Sequence, residues 1–271
     1  MTRATLRDVL GPGHAVAGVV CLGWEDARAY VAAAEACGAP LILQAGPGAR
    51  AHMPVSVWGA MFATLAEGAS VPIVTHLDHG GSYEDCAAAI EAGFSSVMFD
   101  GSKLPLEENI AQTARIADLA HAAGVSCEGE IGFVGYAEGA ASKGTDPEEA
   151  ARFAVETGVD AMAVSVGNVH LQREAGAGLD EPRLAAIRAL TAVPLVIHGG
   201  SGVPEAQRRR LALEGLVAKY NIGTELRQVF GAAVRQGVQD APKRFDRIEI
   251  LRATEAPLTE AARRVIANLR P

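Results

Sequence analysis

The sequence predicts an α/β chain folded as a single (β/α)8 barrel, and three observations carry that prediction. Short apolar runs alternate with Ala-rich amphipathic stretches along the whole chain. Eight such strand–helix pairs follow one another, the number at which parallel strands joined by right-handed crossovers close into a barrel. Ionisable residues gather where the apolar runs end, and barrels of this kind carry their chemistry at the carboxyl ends of the strands. A doubly wound open sheet is the alternative for the same alternation.

The strand candidates, in order, are Ala15–Cys21, Pro40–Gln44, Ile73–Leu77, Ser95–Phe99, Val125–Glu130, Ala161–Val166, Pro194–Ile197 and Val217–Ile222. Each is a short β-branched or aliphatic run bounded by polar or Gly-containing segments. Helices are expected at Asp26–Cys37, where AYVAAAEA has high intrinsic propensity, then at Trp58–Glu67, Tyr83–Glu91, Leu106–Ala123, Pro147–Glu156, Glu181–Leu190, Glu205–Leu213 and Glu225–Ala233. Start signals support three of them: Ser82 before Glu84-Asp85, Thr145-Asp146 before Pro147, and Asp180 before Glu181-Pro182. After Pro242 a poorly defined stretch leads to a C-terminal helix, Thr259–Leu269. One side of it carries Leu258, Ala262, Val265, Ile266 and Leu269, a face suited to packing on the barrel or on another subunit. No linker, low-complexity tract or short repeat divides the chain, so residues 1–271 read as one domain.

Composition narrows the function classes. The chain has 271 residues, enough for one large core, and a formal net charge of −8, which disfavours nucleic acid and acidic membrane as partners. An anionic substrate would need local positive charge from a metal, helix N-termini or a few basic side chains. Cys21, Cys37, Cys86 and Cys127 are scattered without CxxC pairs, as in reduced thiols. The N-terminal stretch lacks a signal-peptide pattern, and no apolar run reaches the roughly 18 residues of a membrane span. A cytoplasmic location is expected.

The chemistry centres on VPIVTHLDHGG (Val71–Gly81), a buried run that delivers His76, Asp78 and His79 to its exit. AMAVSVGNVH (Ala161–His170) and VPLVIHGGSG (Val193–Gly202) repeat the design, each ending in a His. Three imidazoles from three separate strands suggest a zinc site with an open fourth position. His14, His52 and His121 read as structural, hydrogen-bonded residues. His76 shares the face of Asp78 and reads as an orienter of a ligand imidazole or of Asp78. His79 joins Asp78 at the site only if regular strand stops near Leu77, which Gly80-Gly81 favours. Asp100 either caps a turn or lies near the metal. Glu128 and Glu130 both face the barrel interior, where two carboxylates call for a second cation or a hydrogen bond to a ligand His. The Gly-rich turns His198–Gly202 and Asn221–Thr224 follow strands seven and eight, the habitual phosphate position of barrels.

These residues resemble the class II, zinc-dependent fructose- and tagatose-bisphosphate aldolase family. The similarity covers roughly Pro40 to Leu226. It is most specific in HLDHG (His76–Gly80), AGFSSVMFDGSKLPLEENI (Ala92–Ile110), GVSCEGEIGFVG (Gly124–Gly135), TDPEEA (Thr145–Ala150), TGVDAMAVSVGNVH (Thr157–His170), PLVIHGGSGVP (Pro194–Pro204) and NIGTEL (Asn221–Leu226). The resemblance implies a TIM barrel with zinc on His79, His170 and His198, and second-cation positions at Glu130 and Asp100. It implies proton exchange between Asp78 and the hydroxyl whose oxygen becomes the aldehyde. Glu138 takes the position of the family's mobile acid/base. Gly199, Gly200, Ser201, Asn221, Ile222, Gly223 and Thr224 match a phosphate cradle, often with a monovalent cation, Na+ or K+, nearby. The implied reaction is reversible retro-aldol cleavage of a phosphorylated ketose to dihydroxyacetone phosphate, or a related ketone, plus an aldehyde. The implied assembly is a homodimer or homotetramer.

Three donor-side positions depart from the family pattern. The Asn of GAFN is Val20 here, the Ser of LQxSPGA is Gly46, and the Gly after the second zinc-site His is Leu171. Metal and proton-transfer groups survive while donor contacts change, so a changed or broadened substrate is expected. A non-catalytic assembly subunit and a metal-dependent epimerase or isomerase are the alternatives. Intact buried charge at Asp78, Glu138 and the three His speaks against the first.

Overall fold

The computed structural model describes residues 4–137, 139, 141–172, 176 and 178–271. Eight parallel strands close into one barrel in sequence order: β1 (Val16–Val20), β2 (Leu41–Ala45), β3 (Ile73–Gly80), β4 (Ser96–Phe99), β5 (Ser126–Ile131), β6 (Ala161–Val164), β7 (Leu195–Ile197) and β8 (Lys219–Ile222). β8 pairs with β1 through Val16–Lys219 to Val19–Ile222, so neither edge is open. The (β/α)8 expectation holds and the open sheet is excluded.

Around the barrel lie α1 (Leu6–Val9), α2 (Trp24–Cys37), α3 (Pro47–His52), α4 (Val55–Gly68), α5 (Tyr83–Glu91), α6 (Leu106–Ala122), α7 (Pro147–Thr157), α8 (Glu181–Leu190), α9 (Glu205–Leu213), α10 (Thr224–Asp240), α11 (Arg247–Arg252) and α12 (Glu255–Asn268). The three start signals act as read: Ser82 accepts from the Asp85 N–H, Asp146 from Glu148 and Glu149, and Asp180 from Arg183. α1 and α3 were not expected, being too short to show a helical period; Pro47 at the first position preorganises α3. α10 runs on to Asp240, and the ill-defined stretch after Pro242 contains α11, started by the Asp246 carboxylate. α12 packs along α2 and α10 with Leu258, Ala262, Val265 and Ile266 buried, as its pattern requires.

Alternate residues on each strand face opposite ways. Those facing outward, such as Leu41, Leu43, Val97, Cys127, Val164 and Ile222, join the helices in the main core. Those facing inward form layers. One group of them is an apolar cluster, Val16, Ile42, Val74, Ala161, Ala163 and Val196, packed on Leu6 and Val9 of α1. Beside and beyond it the interior turns polar, with Gln44, His76, Ser96, Glu128 and Lys219, all buried.

Leu6 is the stopper of the barrel floor. Leu6→Ala should therefore cost about 3 kcal/mol, read as a lower urea midpoint with an unchanged slope.

Candidate metal centre and active site

β3 is the element on which the site turns. Instead of stopping near Leu77, the strand continues to Gly80 and absorbs one extra residue. Leu77 pairs with Val97 and Gly80 with Phe99, so three steps on β3 oppose two on β4. This bulge removes the strict alternation and brings Asp78 and His79 to the same end of the barrel. Its cost is carried by His79, held at φ 51° in the left-handed region. Gly80 is required next, because a Cβ there would stand 2.6 Å from the Met98 carbonyl oxygen. Arg50, from α3, pins the distortion. Its guanidinium donates to the carbonyls of Ala45 (2.7 Å), Asp78 (2.6 Å) and His79 (2.9 Å).

The bulge presents His79 to the two other imidazoles. Ring centroids lie 5.2 Å apart for His79 and His170, 4.7 Å for His79 and His198, and 5.7 Å for His170 and His198. One nitrogen from each falls within 4.8 Å of the others, and the same limit holds for the set His79, Asp100 and Glu130. The two sets share His79.

Hydrogen bonds orient the rings. His79 Nδ1 lies 2.8 Å from Asp100 Oδ2, and Asp100 Oδ1 accepts from the Ser102 N–H and hydroxyl. Asp100 thus serves both its turn and the imidazole. His198 Nε2 lies 3.0 Å from Glu128 Oε1. Glu128 accordingly plays the hydrogen-bonding role, and its other oxygen accepts from Lys219 at 2.6 Å. His76 does not reach Asp78. It sits one layer lower, 2.7 Å from Ser96 Oγ and 3.3 Å from Lys219 Nζ, because its position on β3 precedes the bulge. His121 bonds Asp160 outside the site, as a structural residue.

The electrostatics favour a cation. Burial opposes charge on His79, but Asp78, Asp100 and Glu130 outweigh it and raise its pKa to about 10. Burial, reinforced by the charge of Asp100, pushes Glu130 up to about 8. Burial and a charged His79 lower His170 to about 4 and hold His198 well below the usual imidazole value. A proton on His79 thus offsets negative charge in the way a metal ion would. Two buried polar atoms, His198 Nδ1 and Glu130 Oε2, have no hydrogen-bond partner and lie 3.5 Å apart. An imidazole nitrogen and a carboxyl oxygen left without partners, beside His79 and His170, fit a divalent ion that would take the place of the proton burial favours on Glu130.

Asp78 is held differently. Its Oδ1 accepts from Gln44 Nε2 at 2.9 Å and Asn221 Nδ2 at 3.1 Å. Its Oδ2 has no partner among the described residues and faces a cavity of about 260 Å³. That cavity is lined by Asp78, His79 and His170, by Gly199, Ser201, Asn221, Gly223 and Thr224 of the two Gly-rich turns, and by Val20, Gly46 and Leu171. Gly199, at φ 65°, leaves space that a Cβ would fill 2.2 Å from the Val169 carbonyl oxygen. Ser201 Oγ accepts from the Gly223 and Glu225 N–H groups, which ties the turns together. Gly200 and Ile222 do not line the cavity; Ile222 points outward into the main core, leaving only its backbone for a ligand. Glu138 lies outside the described residues.

Gln44, Arg50, Lys219 and Arg227 were not read from the sequence. Gln44 and Lys219 carry a signal, as polar residues at inward positions of otherwise apolar strands. Arg50 and Arg227 lie on helices and reach the site only through the fold.

A parallel barrel with this carboxyl-end cluster defines an enzyme scaffold whose side chains are placed to hold a divalent ion. Residues 1–270 match the family described as fructose-bisphosphate aldolase class-II, and the chain belongs to that family. It is 42% identical over 233 residues to fructose-bisphosphate aldolase of Streptococcus pyogenes serotype M3, covering 83% of this chain and 78% of that one. It is 40% identical over 249 residues to 6-phospho-5-dehydro-2-deoxy-D-gluconate aldolase of Shouchella clausii, covering 89% and 84%. The crystal structure of the YdjI aldolase from Escherichia coli K12 superposes with a TM-score of 0.83 at 32% identity, covering 95% of this chain and 92% of that one. The chain is therefore a class II aldolase, a lyase, in a family whose substrates are sugar phosphates. No helix among the described residues is long and apolar enough to cross a membrane.

The electrostatics set the pH dependence of metal uptake. His79, with its pKa near 10, is a cation at neutral pH and must lose its proton to offer a lone pair. Divalent-metal affinity should rise steadily between about pH 6 and pH 9, with proton release on binding. Chelator competition and calorimetry in buffers of different ionisation enthalpy measure both.

Proposed function

We propose that this chain is a zinc-dependent aldolase that reversibly cleaves a phosphorylated ketose to dihydroxyacetone phosphate, or a related ketone, and an aldehyde. The observation that carries this is the unpartnered Asp78 Oδ2 facing the same cavity as His79 and His170. His79, His170 and His198 would hold the ion, which when bound polarises the substrate ketone and offsets charge developing on its oxygen.

The side chains then divide the work. Asp78 takes the proton of the hydroxyl whose carbon becomes the aldehyde, and the neighbouring carbon–carbon bond breaks. Gln44 and Asn221 hold Oδ1, so Oδ2 keeps a fixed aim through the transfer. Glu138, two residues after Tyr136 in the sequence, would return a proton to the ketone half. Backbone N–H groups of Gly199, Ser201 and Thr224, with Arg227, would supply the positive edge for a phosphate.

The donor wall is less polar than the family pattern implies. A side chain at Gly46 would place its Cβ 3.3 Å from Asp78 Oδ2, so a Ser there would bond the carboxylate directly. Leu171 keeps the left-handed backbone that a Gly would take, φ 58°, but adds a branched side chain to the cavity rim. These features support a ketose other than fructose 1,6-bisphosphate.

Zinc-loaded protein offered a panel of ketose mono- and bisphosphates should release an aldehyde from at least one, and a chelator should stop it. Formation of an isomeric sugar with no aldehyde would instead assign an epimerase. Asp78→Ala should lower turnover by roughly 10²–10⁴-fold while leaving zinc bound; normal turnover would remove Asp78 from the proton transfer. Leu171→Gly should lower KM for donors with the dihydroxyacetone phosphate head by roughly tenfold.

A further inference from the structure

Below the cavity, the polar layer of the barrel holds a chain of groups that proton transfer at Asp78 does not use. Lys219 Nζ lies 2.6 Å from Glu128 Oε2 and 3.3 Å from His76 Nε2. His76 Nδ1 continues to Ser96 Oγ at 2.7 Å, and Glu128 Oε1 continues to His198 Nε2 at 3.0 Å. Lys219, His76, Ser96, Glu128 and His198 are all 0% exposed, so no water competes for these bonds.

The inventory of donors and acceptors gives the chain a direction. Lys219 has donors only. Glu128 Oε2 and His76 Nε2 must therefore both accept from it. His76 then carries its hydrogen on Nδ1 and donates it to Ser96. On the other branch, Glu128 accepts at Oε1 as well, so His198 Nε2 is a donor. His198 Nδ1 is left as a bare lone pair, and it is one of the buried atoms with no hydrogen-bond partner, 3.5 Å from Glu130 Oε2.

We propose that Lys219 is a positioning residue: from the barrel core it sets the direction of the Lys219–Glu128–His198 hydrogen bonds, and so the tautomer in which His198 offers Nδ1 to the metal. This rests on the reading of His198 as a ligand. Stability gives no sufficient account of the pair, because a buried ion pair can commonly be replaced by apolar residues of similar volume without loss. What an apolar pair cannot supply is direction. Without Lys219 and Glu128, His198 is free to carry its hydrogen on either nitrogen, and the fraction bearing it on Nδ1 cannot bind.

The first test is ¹⁵N NMR of metal-free wild-type protein labelled at histidine, with His198 assigned through His198→Asn. The expected spectrum shows His198 protonated on Nε2 and bare on Nδ1. A hydrogen on Nδ1 would overturn the proposal, and this spectrum decides whether or not any core variant folds. The second test is the double variant Glu128→Leu/Lys219→Met. It should keep the wild-type circular dichroism, show mixed His198 tautomers, and bind Zn²⁺ roughly 10–100-fold more weakly in competition with a chromophoric chelator. Wild-type Zn²⁺ affinity in a folded double variant would also overturn it. Wild-type protein that bound no divalent ion would instead sink the metal-centre reading, and the NMR result would still report the hydrogen-bond direction.

Discussion

Four carboxylates, Asp78, Asp100, Glu128 and Glu130, are brought into the interior end of one barrel, and the rest of the site is arranged around what that costs. An ionised carboxylate taken out of water needs a charge or several donors beside it. The protein meets this on two levels. In the lower layer Glu128 has a resident cation, Lys219, at 2.6 Å. In the upper layer Asp100 and Glu130 stand 2.8 and 3.7 Å from His79, and Glu130 keeps one oxygen unpartnered. The lower charge is settled by the fold, while the upper charge is left for an exchangeable proton or ion. That separation makes the upper level a centre for chemistry and the lower level its foundation.

The β3 bulge delivers the reactive groups to that centre. A regular strand would send Asp78 and His79 to opposite faces. The extra residue places them together at the price of a non-glycine residue at positive φ, a strain of roughly 1–3 kcal/mol. Arg50 answers it by binding three carbonyls across β2 and β3. The His79 imidazole and the Asp78 carboxylate are thus fixed relative to each other by one local distortion rather than by two independent loops.

Specificity is decided elsewhere in the cavity. Relatives named for different substrates stand at nearly the same distance, 42% and 40% identity, so overall similarity does not assign the ketose. The walls do. Val20, Gly46 and Leu171 replace polar or open positions of the family pattern while Asp78 and the imidazoles are unchanged. Val20 and Leu171 change the rim away from the buried carboxylates, whereas position 46 stands against Asp78 itself.

The sequence by itself determined the barrel, its order of elements and the three imidazoles, because alternating apolar periods and polar strand exits are local signals. Ser82, Asp146 and Asp180 marked helix starts correctly for the same reason. Asp78 and His79 were legible as candidates at a strand exit, but not the bulge that unites them, since an extra residue in a ladder shows only against its partner strand. His76 looked like a neighbour of Asp78 and belongs instead to the layer below. The roles of Lys219, Gln44 and Arg50 were decided only by tertiary structure. Each acts through a bond to a residue far away in the chain, and only closure of the barrel sets those distances.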